Sequence, residues 1–224
     1  MTEAEWQEGR DLHPMLLFTA ERLTGRKLRL YTVGCCRRHW ELFNRDEAKR
    51  LVSDAEQLAD GIGDEDAVRQ LAWDALRTYL DLTLPWVQRT LTQAARGCVT
   101  CSPPDYWGHA WSALHNLVDV VAFLRGGVRD EAFREPERDA HRQLFRDVVG
   151  NPFRPVTFSP SWRTSTAASL ASQMYDSRDF SAMPILADAL QDAGCDSADV
   201  LDHCRGPGPH VRGCWVVDLV LGKE

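Results

Sequence analysis

Two pairs of soft donor residues recur at a four-residue spacing towards the two ends of the chain, Cys35 with His39 and His210 with Cys214. On a helix, residues four apart project side by side from one face. Two such pairs facing each other would supply a Cys2His2 set, and thiolate sulfur with imidazole nitrogen suits tetrahedral zinc. Cys36, His203 and Cys204 are neighbouring substitutes. With all four ligands drawn from the chain, that zinc would be structural, clamping an N-terminal helix to a C-terminal one. The competing use is packing, because free Cys is among the most buried residue types and no paired CxxC motifs accompany these four residues.

A second group is Cys98-Val99-Thr100-Cys101, followed by His109 and His115. Its order imitates a zinc finger, but seven residues between Cys101 and His109 is short for one. As a redox motif it would need a helix starting just after Cys98 to lower that thiol's pKa. Gln93 to Gly97 read instead as a helix end. Hydrolysis would need a nucleophile, a base and an orienting acid. His115 with Asp119, and His210 ahead of Asp218, are His/Asp pairs without a nucleophile elbow. Arg205 and Arg212 flank Gly206 to His210. If Pro209 opens the last helix, its unpaired N–H groups beside two guanidiniums form an anion or partner contact; the same groups serve equally to cap a neighbour or pair with an internal carboxylate.

The elements that must position these residues read almost everywhere at helical period. Thr2 and Glu5 have capping-box spacing for a first helix over Glu3 to Glu8. His13-Pro14 opens a second, ended by Thr24-Gly25. A third, Arg26 to Asn44, carries an apolar arc wide enough to be central. Further helices are expected at Asp46 to Asp60, Asp64 to Leu80, Pro85 to Ala95, Pro104 to Leu124, Arg129 to Val149, Ser161 to Tyr175, Pro184 to Ala193, Ala198 to Cys204 and Pro209 to Val220. Gly150 to Trp162 holds three prolines and breaks the pattern. The expectation is an all-α bundle of about ten helices, a single domain over 1–224 with a proline-rich joint and a sub-boundary at 150–160.

The chain has 224 residues, 44% of them apolar and 26% charged, enough to bury a core without disulfides. Seven cysteines cannot all pair internally, and free thiols fit a reducing compartment. The acidic N-terminus is unlike a secretory signal, and no window is apolar enough to span a membrane, so the cytoplasm is expected. A formal charge of −7 opposes sequence-independent nucleic-acid binding. That charge is unevenly spread. Arg26 to Arg50 holds eight Lys/Arg against three Asp/Glu, whereas Asp54 to Asp66 holds six acids and no base. Adjacent helices of opposite sign pair with each other or offer a partner surface.

The stretches TEAEW…HPMLLFTAERLTGRKLRLYTVGCCRRHWELF, NPFRPVTFSPSW, PILADALQDAGC and HCRGPGPHVRGCWVVDLVLGK resemble a family of uncharacterised bacterial helical proteins. The resemblance covers roughly the first 60 and the last 75 residues. It implies that the two ends act as one structural unit and supplies no catalytic residues. The functional expectation is a non-enzymatic helical adaptor with an unidentified protein partner; eight Trp and the polarised charge fit an interface. The alternative is the zinc-stabilised helical protein, with a hydrolase or thiol oxidoreductase behind it.

Overall fold

The computed structural model describes the backbone of residues 1–100, 106–126 and 131–223, and their side chains except those of 106–111 and 113. The described residues are helical or irregular, with no strand, and no helix among them is long and apolar enough to cross a membrane. The fold is an all-α multi-helix bundle. It divides into two compact units, Met1–Arg22 with Arg142–Glu224, and Leu23–His141. The proline-rich 150–160 segment lies wholly inside the first of these; the division crosses the chain between Arg22 and Leu23, outside any helix, and between His141 and Arg142, within one.

The first unit contains α1 (Glu3–Glu8), α2 (Leu12–Thr19), the end of α8 (Glu131–Val149), α9 (Ser165–Ser177), α10 (Met183–Asp192), α11 (Ala198–Arg205) and α12 (Trp215–Leu221). Their starts follow from local chemistry. Thr2 and Glu5 form the capping box on α1, Asp11 caps α2 through the His13 amide, and Thr164 caps α9 through the amide of Ala167. Apolar positions on α9 to α12 merge into one core that includes Met174, Met183, Leu186, Leu190, Val200, Val216 and Val220. At the other side of this unit Trp6 packs on Phe145 with ring centroids 5.8 Å apart, and Arg146 donates to the backbone carbonyl of Trp6 at 2.9 Å.

The second unit contains α3 (Gly25–Arg37), α4 (Asp46–Ala59), α5 (Glu65–Leu80), α6 (Trp86–Val99), α7 (Tyr106–Leu124) and the start of α8. Here α6 packs against α3, α4, α5 and α7, which makes it the central helix; α3 is buried from Leu28 to Cys36 along its whole body. The basic run and the acidic run face each other: Arg37 reaches Glu56 at 2.9 Å, Arg26 reaches Asp60 at 3.4 Å and Arg29 reaches Glu65 at 3.5 Å.

Two boundaries differ from expectation in ways that matter to the sites. α3 stops at Arg37, and His39, with φ −124° and ψ 37°, turns the chain into a short 3-10 segment at Trp40–Leu42. α12 starts at Trp215, so the stretch from Gly206 to Cys214 is irregular chain and not the first turns of a helix. Three of its first eight residues are Gly and two are Pro, which disfavour helix through backbone freedom and missing donors.

Candidate metal centre

Asp147 stands in the last turn of α8 and His203 near the end of α11, while His210 lies in the irregular stretch and Cys214 occupies the N-cap position of α12. One donor atom from each of the four lies within 4.8 Å of all the others. His210 Nδ1 is 2.7 Å from Asp147 Oδ1, and His203 Nε2 is 3.1 Å from the same oxygen. That nitrogen of His203 is also 3.2 Å from the sulfur of Cys214.

The surroundings fix these side chains. The second carboxylate oxygen of Asp147 accepts from the Val211 amide at 3.0 Å, which ties the irregular stretch to α8 and leaves Oδ1 to the two imidazoles. Trp215 lies 5.1 Å from the His203 ring, centroid to centroid. It fits there because Gly150 has no side chain: a Cβ at that position, where φ is +74°, would sit 3.1 Å from the indole. Gly208, at φ +80°, presses its bare backbone against His210 in the same way. The Val211 carbonyl accepts from the Cys214 amide at 2.9 Å, closing the turn that delivers the thiol.

The centre is dry. Cys214 is 0% exposed, and the side chains of Asp147 and His210 are 2% and 8% exposed. Burial alone would push the Asp147 carboxyl up, but the hydrogen bonds and charges of His203 and His210 outweigh it and hold the group below the usual carboxylate range. Burial first, and the Asp147 charge second, push the Cys214 thiol well above its ordinary value. The neighbouring Cys204 is pushed up to about 12, mainly by burial. His210 Nε2 is buried and has no hydrogen-bond partner among the described residues.

A catalytic Cys-His-Asp arrangement places the nucleophile and the acid on opposite ring nitrogens. Here one nitrogen of His203 faces both, and the thiol is buried and held protonated. The four donors lie within 4.8 Å of one another, which makes them candidates to hold one ion. Thiolate, imidazole and a single carboxylate match zinc and not the all-oxygen sets of calcium or magnesium. Tetrahedral zinc with N and O ligands at about 2.0–2.1 Å separates those donors by about 3.3 Å. The 2.7 Å and 3.1 Å separations therefore lie within roughly 0.2–0.6 Å of what such an ion requires.

The group shares two residues with the Cys2His2 set expected from the sequence. His210 and Cys214 belong to it, though through a turn and not a helix face. Cys35 and His39 belong to the other unit, and Asp147 and His203 stand in their place. His39 instead meets Glu137 at 2.7 Å, a fully buried carboxylate also held by Arg38 at 3.2 Å. Cys35 is wholly buried, its thiol pushed up by burial and then by the Glu137 charge. Of the two arginines named for an anion or partner contact, Arg205 binds Asp188 at 3.1 Å and Gln191 at 2.6 Å, and Arg212 stacks 4.3 Å over Tyr175, with no helix start between them.

Cys101 lies outside the described residues, and His109, on α7, is described in its backbone only. Cys98 sits near the end of α6, where no helix N-terminus can activate it, and His115 is exposed on α7 while Asp119 pairs with Arg134 at 2.8 Å. Asp147 was invisible to spacing arguments, being one acid among many on a charged helix. Comparison with family models, curated proteins and solved structures found no match.

Proposed function

We propose that this is a zinc-binding helical protein in which Asp147, His203, His210 and Cys214 hold the ion and clamp the Gly206–Cys214 stretch onto α8 and α11. The observation that carries the reading is the shared facing of His203 Nε2 towards Asp147 and Cys214, with His210 on the same carboxylate oxygen. Four protein ligands leave no open position on a tetrahedral ion, so its work is structural. Zinc bound to the native state and not to the unfolded chain adds its binding energy to folding. Elemental analysis of protein purified without chelator should find one zinc per chain, and a chelator should lower the melting temperature. Absence of stoichiometric metal, with a melt indifferent to chelator, overturns the reading.

A protein-interaction role is the second reading, compatible with the first. It is favoured by the second unit's exposed apolar side chains, Trp73, Leu80, Leu82, Trp86, Phe123 and Leu124, at 44% to 79% exposure. The opposed charge runs, by contrast, are spent on each other. Trp73→Ser with Trp86→Ser should abolish capture of a defined partner from the native host while leaving the fold intact. Capture that survives both changes, or no specific capture by the unmodified chain, counts against it.

A further inference from the structure

The second unit carries a pair of thiols that the metal centre does not use. Cys36, in the last turn of α3, and Cys98, near the end of α6, place their sulfurs 3.6 Å apart. The pair links two helices separated by 62 positions in sequence. Both residues are buried, at 2% and 0% exposure, so the contact is held by the packing of α3 on α6. Thiols on separate loops meet and part with the loops; these two are kept together by the core around them.

From this juxtaposition we infer that Cys36 and Cys98 are a modification site, closed to a reversible disulfide by peroxide. Forming the bond at about 2.05 Å needs the sulfurs to approach by roughly 1.5 Å. The step balances without any further reactant. One thiolate sulfur attacks a peroxide oxygen, breaking the O–O bond and giving a sulfenic acid and hydroxide. The second sulfur then attacks the sulfenic sulfur, forming S–S and releasing the oxygen as water. Two thiols and one hydrogen peroxide become one disulfide and two waters; the sulfurs are oxidised, the peroxide is reduced, and the thiol protons end on water. A dithiol reductant reverses it.

The environment sets the rate. The hydrogen bond with Cys36, and then burial, push the Cys98 thiol well above its ordinary value, so thiolate is scarce and closure is slow near neutrality and faster at alkaline pH. Once made, the bridge encloses α4 and α5 between its ends, and constraining so long a loop in the unfolded chain raises stability.

The test is intact-mass and peptide analysis of the full chain after hydrogen peroxide treatment and thiol blocking under denaturing conditions. The expected result is two fewer blocked thiols than in the untreated chain, restored when dithiothreitol precedes blocking, a linked peptide pair containing Cys36 and Cys98, and a higher melting temperature than the reduced protein. Cys35→Ser should leave the link in place, whereas Cys98→Ser should remove it. Sulfinic acid in place of a link, a link that joins Cys98 to Cys35, or Cys36 and Cys98 recovered unmodified each overturns the inference. The unmodified chain decides the matter even if a variant fails to fold, and the mapped position separates it from any oxidation of Cys214.

Discussion

His210 Nδ1 lies 2.7 Å from Oδ1 of Asp147, across 63 positions of sequence, and the other oxygen of that carboxylate takes the amide of the next residue, Val211, at 3.0 Å. One acidic side chain therefore organises both an imidazole and the backbone that carries it. Asp147→Ala would leave the His203 and His210 imidazoles and the Val211 amide without their acceptor. Removing one partner of such a buried charged set costs about 3–5 kcal/mol. Asp147→Asn keeps an acceptor oxygen and should cost about 1–3 kcal/mol. Urea unfolding of the three proteins in chelator checks the order; equal stability of all three would show that the carboxylate organises nothing.

Cys214→Ser tests the metal without disturbing the shape. Serine fills the buried space but offers zinc a hard, neutral hydroxyl in place of a thiolate. The loss in zinc affinity should exceed the about 10–100-fold typical of changes outside the ligand set, while Cys204→Ser should change it little. Cobalt substitution gives the check a spectrum: the sulfur-to-metal charge-transfer band present in the native protein should be missing from Cys214→Ser.

These predictions rest on residues that the sequence revealed unevenly. Helices were legible because apolar residues recur at helical spacing and because Thr2 and Asp64 mark starts that their amide bonds confirm; Thr24, read as the end of the second helix, instead caps the start of α3. His210 and Cys214 stood out by residue type, and His203 as their neighbour. Their partner did not. Asp147 lies on a helix with several other ionisable residues, and only the return of the chain after α11 selects it. The four-residue spacing also misled, since a pair at that spacing reaches one point either from a helix face or from a tight turn. The Gly-Pro-Gly-Pro run before His210 favours the turn.

Gly150 should resist substitution for two separate reasons. At φ +74° its backbone is left-handed, and an added Cβ would meet Trp215 at 3.1 Å. Occupying that backbone region costs a residue with a side chain about 1–3 kcal/mol, and the indole must also shift, loosening its packing on His203. Gly150→Ala should lower the urea midpoint and weaken zinc binding, whereas alanine at Gly194, where φ is +87° but nothing lies within 4 Å, should lower stability and leave zinc alone. Equal effects on zinc would remove the role assigned to Trp215.

Acid should unfold the metal-free protein in two stages. Burial lowers the pKa of His141, only partly offset by Glu137. The unfolded chain takes up that proton near about pH 6.5 while the fold refuses it, so stability declines as pH falls from there. Burial would raise Glu137, but hydrogen bonds from His141, His39 and Arg38 hold it far below the usual carboxylate range; Asp147 is also depressed. Their contribution is present above the unfolded value of about 4 and is lost as pH falls below it. Urea midpoints across this range should show both declines, and His141→Gln should flatten the upper one and also alter the lower, because it changes a neighbour of the Glu137 carboxylate.

Zinc binding should itself depend on pH. The Cys214 thiol is held protonated, by burial first and by the Asp147 charge second, yet zinc binds thiolate. Each ion bound must therefore release that proton. Below the thiol's raised pKa, one proton released per ion makes the apparent affinity rise about tenfold per pH unit. Competition titrations against a zinc chelator of known pH dependence, from neutrality to mildly alkaline pH, measure this slope. Cys214→Ser should bind more weakly and lose the thiol's share of the slope. An affinity independent of pH in the native chain would mean that Cys214 is not a ligand, whatever metal the protein contains.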